Sequence, residues 1–388
     1  MNAAELNEII KSIKPAGRQA IINAKERQDT LAKPPGSLGG LEEISIRIAG
    51  MTGKEINRIG KGCVAVFCAD NGVVREGVAS APQSVTRAQT MNFTRRLTGV
   101  GALARSYDSE ILIVDVGVKD PIPKELYSQV PLEDTHKIIN RRLRKAGETD
   151  NIAEGPAMTK EEALEAIAAG LEMADAVSGE GFSIMGVGEM GIGNTTTSAA
   201  VLSAITGKPA EYTVGRGGGV NDAGFARKKE IVDQVSAKYR TAGGVLSAPE
   251  DVRTDQMIDV LAGMSGFDIC AMTGAFLGAA ANRMPVVIDG YISAVAALAA
   301  FTLAPAAADY MIASHKSFEK GYTLAIEKLG LKPFLSLDMR LGEGSGCPIA
   351  FSIIRGACDV MADMATFDEA EINDEYLEEI RQEEKYQK

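Results

Sequence analysis

Five short, uninterrupted apolar runs punctuate the chain: "CVAVFCADNG" from Cys63, "ILIVDVGV" (Ile111–Val118), "GFSIMGVGE" (Gly181–Glu189), "PVVIDG" (Pro285–Gly290) and "DYMIAS" (Asp309–Ser314). Runs without polar alternation are what strands buried on both faces of a parallel sheet require. Helical periodicity fills the intervals. The best-marked case is "TKEEALEAIAAGLEMADAV", where Thr159 and Glu162 predict a capping box ahead of the apolar stripe. Residues 1–50 read as helices around the loop "KPPGSLGGLEE" (Lys33–Glu43), opening with one amphipathic helix over "MNAAELNEIIKSIKPAGRQA". Ile292–Ala308 reads as a buried helix broken by Pro305, and the acid-rich tail beyond Met364 as a solvated terminal helix. Strands alternating with helices predict an α/β fold with a parallel sheet covered on both faces. Such sheets bind ligands at the carboxyl ends of their strands. Those ends here carry a row of acids: Asp70, Asp115, Glu189 and Asp289.

Length and charge narrow the field. At 388 residues the chain can bury a full core, as one large domain with an appendage or as two domains. A net charge of -11 argues against nucleic acid or an anionic membrane as partner. No uninterrupted apolar run of about 18 residues predicts a membrane span. Five scattered cysteines without CxxC spacing and only two histidines, His136 and His315, argue against a zinc site and point to a reducing, cytoplasmic setting.

Candidate chemistry lies in glycine-rich clusters. "GVGEMGIGNTTTS" (Gly186–Ser198) joins a strand to a helix through a loop of glycines, the arrangement that offers backbone N–H groups and a helix N-terminus to an anion. It matches neither the Walker loop nor the GxGxxG fingerprint, so phosphate binding and a plain turn both stand. "VGRGGGVNDAGFARKKE" adds a second glycine loop followed by Arg227, Lys228 and Lys229, read as a second half-site for phosphate or as a basic solvated face. In "RLGEGSGCPIAFSIIRGA", Glu343 stands between Gly342 and Gly344, open either to a ligand or to a helix dipole. "ADNGVVREGVASAPQSVTRAQTMNF" is pocket wall or structural turn, "KPPGSLGGLEE" lid or connector, and His315 a general base or a structural histidine.

Together these segments resemble one family, the nicotinate-nucleotide:dimethylbenzimidazole phosphoribosyltransferases. The resemblance is carried by "KPPGSLGGLE", "ADNGVVREGV", "GVGEMGIGNTTT", "VGRGGGV", "GFDICAMTGAFLGAA", "VVIDGYIS" and "RLGEGSG", in order over roughly residues 30–360. It implies a Rossmann-like parallel sheet over residues 51–344, a small helical domain from residues 1–50 plus 345–388, and a dimer. It implies transfer of phosphoribose from nicotinate mononucleotide to a base of the dimethylbenzimidazole type, for cobamide synthesis. No metal or other cofactor is implied.

By match to the motifs, Glu343 is the expected general base and Glu189 the acid near the ribose. Gly191, Ile192, Gly193, Asn194, Gly217, Gly218 and Lys228 are the expected phosphate and ribose contacts. Ser80, Gln83, Gln89 and Leu341 are expected to face the aromatic acceptor. Two departures leave alternatives open. Asp70-Asn71-Gly72 replaces the "DHG" of many members, and "VASAPQSVT" lacks an aromatic residue that some relatives carry. Transfer to phenol or p-cresol within a heterodimer, or a silent partner subunit of one, are the alternatives.

Overall fold

The computed structural model describes residues 1–377. All five apolar runs form strands, and two short ones join them: β1 (Gly62–Ala69), β2 (Ser109–Gly117), β3 (Tyr127–Ser128), β4 (Ile138–Asn140), β5 (Ile184–Met190), β6 (Val286–Ile288) and β7 (Met311–Ala313). Every pairing is parallel, in the order β3-β4-β2-β1-β5-β6-β7. The chain builds outward from β1 on one side and then returns to its other flank at β5. That reversal leaves a crevice between the carboxyl ends of β1 and β5, where such sheets take their ligands. Register sets Cys68 opposite Asp115 on one side and Met190 on the other, which brings the acid-bearing strand ends level. All eight residues of β1 are buried, as a strand with neighbours on both sides and helices on both faces must be.

Helices cover the sheet tightly enough to dictate residue size. The helix Lys160–Gly179, started by the Thr159–Glu162 capping box, packs on the helix Phe267–Ala281. A Cβ at Gly170 would stand 1.8 Å from the Ala271 carbonyl oxygen, and one at Gly274 only 1.9 Å from that of Ile167. The two backbones meet because glycine occupies both positions.

Several local expectations need correction. The N-terminal segment is two helices, Ala3–Ser12 and Arg18–Thr30, because Pro15 cannot continue the first. The strand at Glu189 runs on to Met190. Beyond Met364 the described chain is not helical up to Asn373: Thr366 bridges Leu31, the Phe367 N–H donates to the Thr30 carbonyl at 3.0 Å, and Phe367 is buried. Glu375–Leu377 forms a single 3-10 turn, and the rest of that expected helix, from residue 378, lies outside the described residues.

The loop "KPPGSLGGLEE" is pinned from within. Lys33 Nζ meets Glu42 Oε1 at 2.8 Å, and the Leu38 N–H donates to the same oxygen at 3.0 Å, with both side chains almost wholly buried. Removing one partner leaves a buried charge unpaired, at a cost of about 3–5 kcal/mol. Glu42→Gln is therefore expected to lower the thermal unfolding midpoint by several degrees. A midpoint within one degree of the parent, measured by calorimetry, would show the pair to be dispensable.

Candidate active site

A cavity of about 280 Å³ opens at the carboxyl ends of the central strands. Eleven of the residues expected from the motifs line it: Ser80, Gln89, Glu189, Gly191, Ile192, Gly193, Asn194, Gly217, Gly218, Leu341 and Glu343. Residues scattered over more than 260 positions of sequence thus converge on one site.

One wall is the turn from β5 into the helix Asn194–Thr206. Gly193 holds φ 96°, and a Cβ there would press 2.7 Å from Val74 Cγ2, so only glycine makes this turn. Gly193, Asn194 and Thr195, at the N-terminus of this helix, line the cavity, which places the positive end of the helix dipole beside it. The Ile192 N–H is already committed, donating to Thr86 Oγ1 at 3.1 Å, and the Asn194 N–H donates to the Gly191 carbonyl at 3.3 Å. The second loop docks against the first: a Cβ at Gly217 would lie 2.8 Å from Thr195 Oγ1, and Ser80 Oγ donates to the Gly218 carbonyl at 3.1 Å. The Gly217 N–H is itself held by the Glu319 carboxylate.

Lys228 stands behind this wall and is not among the lining residues. Its ammonium is buried and donates to Thr195 Oγ1 (2.9 Å) and the Gly215 carbonyl (3.2 Å), tying both glycine loops together. Burial lowers its pKa to about 8. Gln83 is the other displaced residue. Its amide donates to Glu148 Oε2 at 2.7 Å and accepts from Lys119 Nζ at 3.0 Å, away from the cavity. Sequence shows which residue occupies a helix position but not which neighbour claims its side chain.

A third glycine-flanked loop brings Glu343 to the cavity. Three consecutive residues, Gly342, Glu343 and Gly344, have φ of 85°, 63° and 82°. The glycines are needed because a Cβ at 342 would stand 2.5 Å from Glu189 Oε1 and one at 344 the same distance from Val64 Cγ1. Glu343 itself carries the strain of a left-handed conformation. Asp289, fully buried at the end of β6, holds the loop: Oδ2 accepts the Gly344 N–H at 3.0 Å and Oδ1 the Gly346 N–H at 2.7 Å. The Glu343 carboxylate accepts the Val100 N–H at 3.1 Å and the Gln89 Nε2 hydrogen at 3.4 Å. Burial raises its pKa while the Val100 and Gly99 N–H groups pull it back.

Of the four strand-end acids, only Glu189 and Asp289 line the cavity. Asp115 accepts the Gly117 and Val118 N–H groups, and Asp70 that of Lys119, so these two shape loops. Glu189 is raised well above the carboxylate range, first by burial and then by nearby Asp268. His315 lines the cavity but is held neutral: burial lowers it to about 4, and its Nδ1 meets Ser314 Oγ at 3.0 Å. That makes it a structural and lining residue, too weakly basic for the general-base role. Arg216, Ser317, Glu319 and Arg340 also line the cavity and went unread in the sequence, although each sits in or beside a glycine or histidine cluster. Among the described residues no group of three or more His, Cys, Asp or Glu is placed to hold a metal ion, and no helix is long and apolar enough to cross a membrane.

Fold and cavity together define an enzyme of the doubly wound α/β class, with its small-molecule site at the topological switch point of the sheet. A phosphoribosyltransferase family model matches residues 13–372. The nicotinate-nucleotide–dimethylbenzimidazole phosphoribosyltransferase of Clostridium perfringens is 49% identical over 98% of this chain and 99% of its own. That of Clostridium tetani is 42% identical over 97% and 98%. The crystal structure of CobT from Thermus thermophilus superposes with a TM-score of 0.82 at 36% identity, over 92% of this chain and 99% of that one. The chain belongs to the nicotinate-nucleotide–dimethylbenzimidazole phosphoribosyltransferase family.

Proposed function

We propose that the chain transfers phosphoribose from nicotinate mononucleotide to dimethylbenzimidazole, giving the α-ribotide and free nicotinate for cobamide synthesis. The observation that carries this reading is the Glu343 carboxylate, held by Val100 and Gln89 in the same cavity that the two glycine loops line. The phosphate is assigned to the Gly191–Asn194 turn, at the positive end of the helix Asn194–Thr206, and to Gly218. The ribose lies over Glu189.

The chemistry then needs one base. One nitrogen of the acceptor bonds ribose C1′ with its lone pair as the C1′–N bond to the pyridinium breaks. The bonding pair returns to the pyridine nitrogen, which leaves neutral and asks for no general acid. The acceptor's second nitrogen gives its proton to Glu343. Attack opposite the leaving ring inverts C1′ from β to α in a single displacement. Raised well above the carboxylate range, Glu189 keeps a proton at neutral pH and hydrogen-bonds the ribose hydroxyls.

The test is turnover by the purified chain, supplied with nicotinate mononucleotide and a panel of acceptors and followed by product chromatography. Dimethylbenzimidazole is expected to give an α-ribotide and equimolar nicotinate. No product from any acceptor would overturn the reading, and faster turnover of phenol or p-cresol would overturn the acceptor assignment.

Lys228 acts through the loops it ties. Lys228→Met is expected to raise the donor KM about tenfold, the loss of a charged hydrogen bond, with the acceptor KM little changed. Its charge is present below pH 8 and lost above, so the parent's donor KM should climb as pH rises through about 8. Equal effects on both substrates would contradict the role.

Residues 1–50 and 345–388 are proposed as one small unit, mainly helical in its described part and supported by a cluster of Ala24, Ala49 and Met361 separate from the main core; residues 378–388 lie outside the described residues. A dimer and a cytoplasmic location complete the reading. Exposed Phe318 and Leu341 near the cavity rim support a covering second chain, and five unpaired buried cysteines support a reducing compartment.

A further inference from the structure

The transfer uses Glu189 but leaves Asp268 without a task. Asp268 is fully buried at the second position of the helix Phe267–Ala281 and is not among the cavity-lining residues. Its Oδ2 accepts one hydrogen of the Asn194 side-chain amide at 3.1 Å, and its Oδ1 the Ile269 N–H at 3.0 Å. The same Asn194 nitrogen donates to Glu189 Oε2. Nothing larger than glycine fits around this bridge: a Cβ at Gly191 would lie 3.0 Å from Asp268 Oδ2, and one at Gly266 only 2.1 Å from Oδ1.

We propose that Asp268 is a positioning residue: by committing the Asn194 amide on one side, it fixes on the other the carboxyl oxygen that Glu189 presents to the ribose. This rests on the transfer reaction proposed above. The bridge also sets charge. Glu189 faces Asp268, Asp289 from β6, Glu343 from its loop and the Cys68 thiol from β1, while Asp268 faces Asp70, Cys270 and the same Cys68 thiol. Burial raises both carboxyls, and the Asp268 charge raises Glu189 further. An ionised Asp268 keeps Glu189 protonated, and the amide bridge pulls the other way by favouring the charged form.

Two substitutions therefore move one ionisation in opposite directions. In the pH profile of donor kcat/KM, Asp268→Asn removes the opposing charge and is expected to shift the Glu189 ionisation down by about one pH unit. Asn194→Ser removes the amide donor and is expected to shift it up. Glu189→Gln identifies the ionisation by abolishing it, and Asp268→Glu is expected to restore the parent profile in part. Profiles that superimpose on the parent's, with only thermal stability changed, would overturn the proposal. Should Asp268→Asn fail to fold, the Asn194→Ser profile decides alone: an upward shift supports the bridge, no shift refutes it. Inactivity of the parent chain would instead refute the transfer reaction itself.

Discussion

Glu343→Gln folds as the parent does and turns over about a hundred to ten thousand times more slowly, the range of a lost general base. The substitution keeps the shape of the side chain and its acceptor for the Val100 N–H, so the cavity stays formed. What it loses is the capacity to take the proton from the acceptor nitrogen. Since the displacement makes that proton more acidic as the first nitrogen bonds C1′, the loss falls on kcat and leaves both KM values near those of the parent. Near-parent kcat, measured under saturation with both substrates, would remove Glu343 from the base role.

Asp289→Ala carries the second largest effect, although its carboxylate takes no proton in the reaction. The Gly342–Gly344 segment holds three left-handed residues in a row, one of them a glutamate. Strain of about 1–3 kcal/mol at such a residue persists only where the surroundings over-determine it. Here the surroundings are the two Asp289 oxygens on the Gly344 and Gly346 N–H groups. Without them two buried donors lose their partner, about 1–3 kcal/mol each, and the loop relaxes. A misplacement of about 1 Å at the base costs on the order of a hundredfold in rate. The expected result is a fall in kcat of that size together with a lower unfolding midpoint. A stable variant with full kcat would show that Glu343 is positioned by other means. Asp289→Asn, which keeps one oxygen acceptor, should fall between.

The parts of the site that were legible in the sequence are those written locally. Glycines flanking Glu343, a glycine turn after a strand, and acids at strand ends each state their backbone requirement within a few residues, and the cavity is built from them. The sheet was legible for the same reason, since β1, β2 and β5 are long apolar runs; β3 and β4, of two and three residues, carry no such signal. What escaped depends on long-range neighbours. Lys228 reads as a phosphate cation until Thr195 and Gly215 are seen to claim its ammonium. Gln83 reads as a pocket residue until Glu148 and Lys119 claim its amide. Asp268 carries no local signal of its own within "GFDICAMTGAFLGAA", and only the fold brings it to Asn194, 74 positions away. The break at Pro15 lay in plain view, and the amphipathic pattern obscured it.

The most direct test is a crystal structure of the Glu343→Gln protein with nicotinate mononucleotide and dimethylbenzimidazole both bound. The phosphate is expected against the Gly191–Asn194 turn and Gly218, with one benzimidazole nitrogen facing ribose C1′ and the other within about 3 Å of the side chain at position 343. A phosphate lodged away from both glycine loops, or an acceptor whose N–H turns from position 343, would contradict it.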